Sequence, residues 1–304
     1  MGRVSGSEAT GLEEAVSFGS GKGLVGILHR TAPDAPRGIP ILILNAGIIH
    51  RVGPNRLHVE LARALAARGH PVLRFDLSGV GDSAPPRSSD LRASVMADVS
   101  EAVDEVVRWT GAERCVVAGL CAGADNAFAA ALRDPRIGGV VCVDGTTFRT
   151  RRFHLRRFLD RVSNRRSWVA FFQGKSAVWK LFFRLPSRIL PRRIRPREAS
   201  TGSRRPAFYG MSAATREETA AGLDLLLSRG VRLLYVFTGG IRARYNHATQ
   251  FVDALPEVTL GKGFQLEYLP EADHTFHERE QRRRLTGFLL EWLANGKEAR
   301  HGIR

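Results

Sequence analysis

Three cysteines among 304 residues cannot build a framework of paired disulfides. Cys115 and Cys142 lie inside apolar runs, "RCVVAGL" and "IGGVVCVDG", and read as small buried hydrophobes. No apolar run approaches the roughly 20 residues that span a bilayer. The amino terminus, "MGRVSGSEATGLEE", has no apolar signal-peptide core, so Sec export is not expected and a reducing cytoplasm is. Acids are scarce in one place only. Residues 149–206 hold 18 lysines and arginines against two acids, Asp160 and Glu198, and so carry the whole net charge of +16 while the rest of the chain is balanced. There is no Gly-rich phosphate loop, because "GSGKG" at 19–23 lacks both the spacing and the Ser or Thr that follows Lys in a nucleotide loop.

What is present alternates strand and helix signals, the pattern of a mostly parallel sheet with helices on both faces. "EEAVSF" and "GLVGILHR" predict an opening hairpin around Gly19–Gly23. "IPILILNAG" is a continuous apolar run, as in a strand covered on both sides. "NRLHVELARALAARG" places Leu57, Leu61 and Leu65 at helical spacing and stops at Gly69. "HPVLRFDLSG" predicts the fourth strand, residues 91–110 a helix ending before Gly111, and "RCVVAGL" and "IGGVVCVDG" the fifth and sixth strands. After the basic segment come strands in "VRLLYVFTGG" and "FQLEYLPEADHTF", then a final helix. The chain thus divides into a first core part (1–148), a basic insertion after the sixth strand (149–206) and a second core part (207–304).

The stretch "VVAGLCAGADNA" carries the chemistry. Gly119 and Gly123 flank Cys121 between a strand and a small-residue helix, and Ala122 and Ala124 leave the turn uncrowded. The helix that begins at Ala122 aims its amino end at the sulfur, which favours a thiolate. Earlier in the chain, "FDLSGVGDS" forms a glycine-rich turn after the fourth strand, in which Asp76 and Asp82 serve as braces, and near its end "ADHTF" sets His274 just past the last strand. His277, three residues on, is the alternative histidine.

Taken together, these features span about residues 40–290 and resemble the α/β-hydrolase family, specifically its serine-aminopeptidase-like branch. The stretch "NAGIIHRVGPNRLHVELARALAARGHPVLRFDLSGVGDS" resembles hydrolases associated with exosortase and exopolysaccharide gene systems. The resemblance implies a nucleophile at Cys121, where serine is usual, and a general base at His274. It also implies an oxyanion hole from the backbone N–H groups of Gly47 or Ile48, in "LNAGIIH", together with that of Ala122. The family's acid normally follows the strand "VRLLYVFTGG", yet the next residues, "IRARYNHATQ", contain no carboxylate. Asp144, after the sixth strand, where some related lipases carry their acid, is the first candidate for the third member, and Asn246, which would give a Cys-His-Asn set, is the second. A thiol ionises near ~8.5, so a Cys–His dyad is chemically sufficient without either.

A thiolate nucleophile favours thioesters, since its own acyl-enzyme is again a thioester and attack is nearly isoenergetic. Thioester hydrolysis or acyl transfer is therefore expected; ester cleavage of the dienelactone-hydrolase kind is the rival within the fold. No metal or redox cofactor is expected. In the basic insertion Trp168, Phe171, Phe172, Trp179, Phe182 and Phe183 interleave with Arg165, Lys175, Lys180 and Arg184. Three readings fit it: a cap over the site, a dock for an acidic carrier protein or the phosphates of coenzyme A, and peripheral binding to an anionic membrane. Nucleic acid is not expected, for lack of a recognised binding fold. Outside enzymology, the alternative is a non-catalytic binding module on a hydrolase scaffold, to which the missing acid points.

Overall fold

The computed structural model describes residues 13–32, 38–163 and 214–301. The opening hairpin forms as expected: β1 (Glu13–Phe18) pairs antiparallel with β2 (Leu24–His29), from Glu13 opposite His29 to Phe18 opposite Leu24. The remaining strands are β3 (Ile41–Ile43), β4 (Val72–Phe75), β5 (Cys115–Leu120), β6 (Ile137–Val143), β7 (Arg232–Thr238) and β8 (Phe264–Leu269). Their order across the sheet is β1-β2-β4-β3-β5-β6-β7-β8, with β2 antiparallel to β4 and every later pair parallel.

This order places β3 between β4 and β5, so the connections after β3 and β5 leave in opposite directions. A crevice opens at such a switch point, beyond the carboxyl ends of the strands, and ligands of open α/β sheets bind there. Cys121 and the loop after β3 both lie at that edge.

Continuous apolar strands are buried on both sides, and the two faces form separate cores. Leu42, Val117, Val140, Leu233, Tyr235 and Phe237 point to one side. There they meet α2 (Leu91–Thr110), α3 (Ala122–Ala131), α5 (Arg216–Ser228) and α6 (Gln250–Ala254). Ile41, Ile43, Val116, Val141, Leu234 and Val236 point to the other, under α1 (Leu57–Ala66) and α7 (Arg279–His301). The helix ends obey local chemistry. Asp90 caps α2 by accepting from the N–H groups of Arg92 and Ala93, and Gly111 ends it with φ 67°. Thr215 and Glu218 form a reciprocal capping box at the start of α5.

Cys115 and Cys142 are buried. Burial pushes the Cys115 thiol up to about 12 and raises that of Cys142 as well, so both are inert core residues. The basic insertion opens with α4 (Arg151–Ser163), anchored on the core by the fully buried Phe153 and by Arg149, which donates to the carbonyl of Ala243 at 3.3 Å. The expected aromatic series from Trp168 to Phe183 and the boundary at 206/207 lie outside the described residues.

Trp292 closes the second core, 2% exposed and stacked under the Arg232 guanidinium at 4.4 Å. Trp292→Ala should cost about 3–5 kcal/mol of stability, read as a lower midpoint in urea denaturation with an unchanged slope.

Candidate active site

The corner after β5 is built by close approach. A Cβ added to Gly119 would stand 2.1 Å from the carbonyl carbon of Gly123, and one added to Gly123 would stand 2.5 Å from the carbonyl oxygen of Asn45. Only glycine fits either position. Between them Cys121 is held at φ 58°, ψ −118°, a conformation that L-residues avoid. Its N–H donates to the carbonyl of Val143 at 2.8 Å, tying the strained residue to β6. The turn lifts the half-buried sulfur to the head of α3, whose first N–H groups have no intrahelical acceptor.

His274 reaches this sulfur from the loop after β8. Its ring hydrogen-bonds Cys121 on one side, and on the other its Nδ1 stands 2.8 Å from Oδ2 of Asp144. Asp144 follows β6, is 1% exposed, and accepts two more hydrogen bonds: from the Thr238 N–H at 2.7 Å and from the Thr238 hydroxyl at 2.6 Å. The hydrogen bond to Asp144, then that to Cys121, outweighs burial and raises the His274 imidazole from 6.5 to about 9. The imidazolium is therefore the state favoured at neutral pH.

A family model for the alpha/beta hydrolase fold matches residues 40–223. The chain belongs to the α/β-hydrolase fold family. It is similar along its length to solved structures at low identity. A putative α/β-hydrolase of unknown function from Agrobacterium tumefaciens shares 15% identity over 94% of this chain and 97% of its own, with TM-score 0.52. An esterase from Thermogutta terrifontis, solved with malate bound, shares 18% over 93% and 98%, TM-score 0.52. A carboxylesterase from Bacillus subtilis shares 16% over 93% and 92%, TM-score 0.54. No curated protein matches the chain. At these identities the structures speak for the fold alone.

In this α/β-hydrolase the structure brings together Cys121, His274 and Asp144. Asn246, the other candidate for the third member, is engaged elsewhere: its Nδ2 donates to the Phe153 carbonyl at 3.1 Å and its N–H to Gln250. His277 pairs with Asp273 at 2.8 Å rather than with the thiol. Burial alone would raise the Asp273 carboxyl, but hydrogen bonds from Thr275 and His277 hold it well below the usual carboxylate range and stiffen the loop that carries His274.

The loop after β3 lies against the corner through the Asn45–Gly123 contact. Gly47 takes φ 63° there, and the Ile48 side chain is 68% exposed. Asn45 shapes this loop by donating to the Ile49 carbonyl at 3.0 Å and accepting from the Leu77 N–H at 2.7 Å. Asp76 binds Asn45 and both the N–H and the guanidinium of Arg51, which also reaches Asp82. Asp76 and Asp82 are thus braces, as their place in the glycine-rich turn suggests. Two residues escaped the sequence reading. Thr238 is the hydroxyl that ends an otherwise apolar strand, and Asn45 is the lone amide after β3; each is a polar residue in an apolar run, the signal that could have found it.

The His274 shift fixes a sign. Its folded value lies above its ordinary 6.5, so its contribution to stability is complete below about pH 6.5 and disappears as pH rises through about 9. An imidazole titration followed by NMR should show a midpoint near 9 in the wild type and one moved toward 6.5 in Asp144→Asn. The variant's unfolding free energy should also fall less steeply between pH 7 and 10.

Proposed function

We propose that this chain is an acyl hydrolase or acyltransferase that works through a covalent Cys121 acyl-enzyme, with a thioester or ester as substrate. The observation that carries this reading is the continuous run of hydrogen bonds from Thr238 through Asp144 and His274 to Cys121. It opposes the non-catalytic alternative, because an ordinary core thiol has no use for a strained corner and a buried carboxylate aimed at it through a histidine.

The mechanism follows from the charge state. The Cys121 thiolate attacks the acyl carbon, forming a C–S bond and placing negative charge on the carbonyl oxygen. The N–H groups of Ala122 and of Gly47 or Ile48 stabilise that charge. As the intermediate collapses, the bond to the leaving thiolate or alkoxide breaks and the His274 imidazolium supplies the proton that neutralises it. The imidazole, now neutral, takes a proton from water or an acceptor nucleophile, which attacks the acyl-cysteine. The second collapse breaks the C–S bond and restores the thiolate–imidazolium pair. No cofactor enters this cycle.

A thioester is the favoured donor because its exchange onto Cys121 is nearly isoenergetic. Placement in the serine-aminopeptidase-like branch, with its exosortase-associated relatives, rests on the sequence around Asn45–Ser83. An acidic carrier protein or an anionic membrane surface is the partner that α4 suits. It exposes Leu155, Phe158 and Leu159 beside Arg151, Arg152 and Arg156. Among the described residues no helix is long and apolar enough to cross a membrane.

Intact-protein mass spectrometry after mixing with acyl-pantetheine thioesters and simple esters tests the reading. The wild type should gain one acyl mass that clears into water or an added amine. Cys121→Ala should gain none, and His274→Ala should acylate at least about 100-fold more slowly. Absence of any adduct, with Cys121 inert to iodoacetamide at neutral pH, would transfer the assignment to a binding module.

A further inference from the structure

The proposed oxyanion donors sit in a tight turn after β3. The Ile49 N–H closes it by donating to the Ala46 carbonyl at 3.2 Å, and Gly47 takes φ 63° inside it. A turn closed between its first and fourth residues leaves the N–H groups of the two central ones, Gly47 and Ile48, out of the closing bond. The near end of this loop is set by the sheet. The Leu44 N–H donates to the Ala118 carbonyl of β5 at 2.9 Å, and the Asn45 carbonyl lies against Gly123 in the first turn of α3.

The far end is set by Arg51, three of whose groups are engaged. Its N–H donates to Oδ1 of Asp76 at 2.5 Å, and its carbonyl accepts from the Arg74 guanidinium at 3.4 Å. Its own guanidinium forks between Oδ2 of Asp76 and Oδ2 of Asp82, the latter at 2.7 Å. Asp76 directly follows β4, and its side chain is fully buried. Its Oδ1 also accepts from the Asn45 amide at 3.1 Å, and that amide donates to the Ile49 carbonyl at 3.0 Å. One carboxylate thus takes both ends of the turn, Asn45 before it and Arg51 after it. A planar guanidinium that bridges two acids fixes direction as well as distance, which a flexible ammonium does not.

We infer that Arg51, held by Asp76 and Asp82, is the positioning residue of the oxyanion hole and sets where the Gly47 and Ile48 N–H groups stand relative to Cys121. This rests on the reading of Cys121 as the nucleophile. Donors that stabilise a developing oxyanion must be in place before the charge appears, and a misplacement of about 1 Å can cost about 100-fold in rate. Arg51 touches no reacting atom. Its loss therefore acts on the acyl-transfer steps and spares the thiolate.

Two reactions of the same sulfur separate positioning from folding. Acylation by butyryl-pantetheine passes through an oxyanion. Alkylation by iodoacetamide forms a C–S bond at a saturated carbon as iodide leaves, and needs only the thiolate. In Arg51→Gln and Arg51→Lys, acylation read by intact-protein mass spectrometry should slow about tenfold to a hundredfold, while alkylation stays within about twofold of wild type. Arg51→Lys keeps a cation beside the buried carboxylate and so guards against a variant that does not fold; its urea midpoint should lie nearer the wild type than that of Arg51→Gln. Equal losses of acylation and alkylation in Arg51→Lys would reduce Arg51 to a structural brace. A wild-type acylation rate in either variant would remove it from the oxyanion hole. Either result overturns the inference and leaves the acyl-enzyme reading intact. A wild type that is alkylated at Cys121 but never acylated would end that reading and this inference together.

Discussion

The site depends on how a buried carboxyl group is surrounded by hydrogen-bond donors. Asp144 has almost no exposed surface, and an ionised group in that position is tolerated only when donors surround it. Thr238 supplies two, from backbone and hydroxyl, and His274 supplies the third together with a positive charge. The donors come from two strand ends, so the carboxylate at the end of β6 fastens β7 directly and the loop after β8 through the imidazole. The reach of His274 toward Cys121 follows from that fastening.

The same histidine links that carboxylate to Cys121. Part of the rise of the His274 imidazole, after the hydrogen bond to Asp144, comes from Cys121 itself. A thiol gives up its proton far more readily than a serine hydroxyl, so in the reading proposed above the pair rests as thiolate and imidazolium with the nucleophile already charged. The acid needed by the leaving group is then in place from the start.

Much of this was legible in the sequence because it is local. The hairpin, the helix of residues 91–110 with its glycine stop, and the corner around Cys121 are set by neighbours within a few residues, and periodicity and glycine spacing report them. The partner of His274 was legible only as a choice, Asp144 ahead of Asn246. Asp144 and His274 stand 130 positions apart, on connections separated in the sheet by β7, and whether a side chain crosses that gap depends on strand order and register. Asn246 satisfied the chain-order rule equally well, yet it turns to α4 and the Phe153 carbonyl. Thr238 went unnoticed for the same reason, since its role exists only once Asp144 sits beside it.

The basic insertion gains meaning from where it leaves the core. Its charge would be a solvated surface feature anywhere else on the sheet. Here the connection from Asp144 leads into α4, which is pinned by Phe153, and Arg149 just before it donates to the Ala243 carbonyl in the loop that reads "IRAR". With the carboxylate that meets His274 at the end of β6, the strand end at Thr238 is neutral and the loop after it, "GGIRARYNHAT", carries Arg242 and Arg244 and no acid. Thr238 and His274 occupy the Asp144 carboxylate, and the loop after β7 contains no acid before Asp253, so the buried charge is satisfied by the hydroxyl, the N–H and the imidazole rather than by the arginines of that loop.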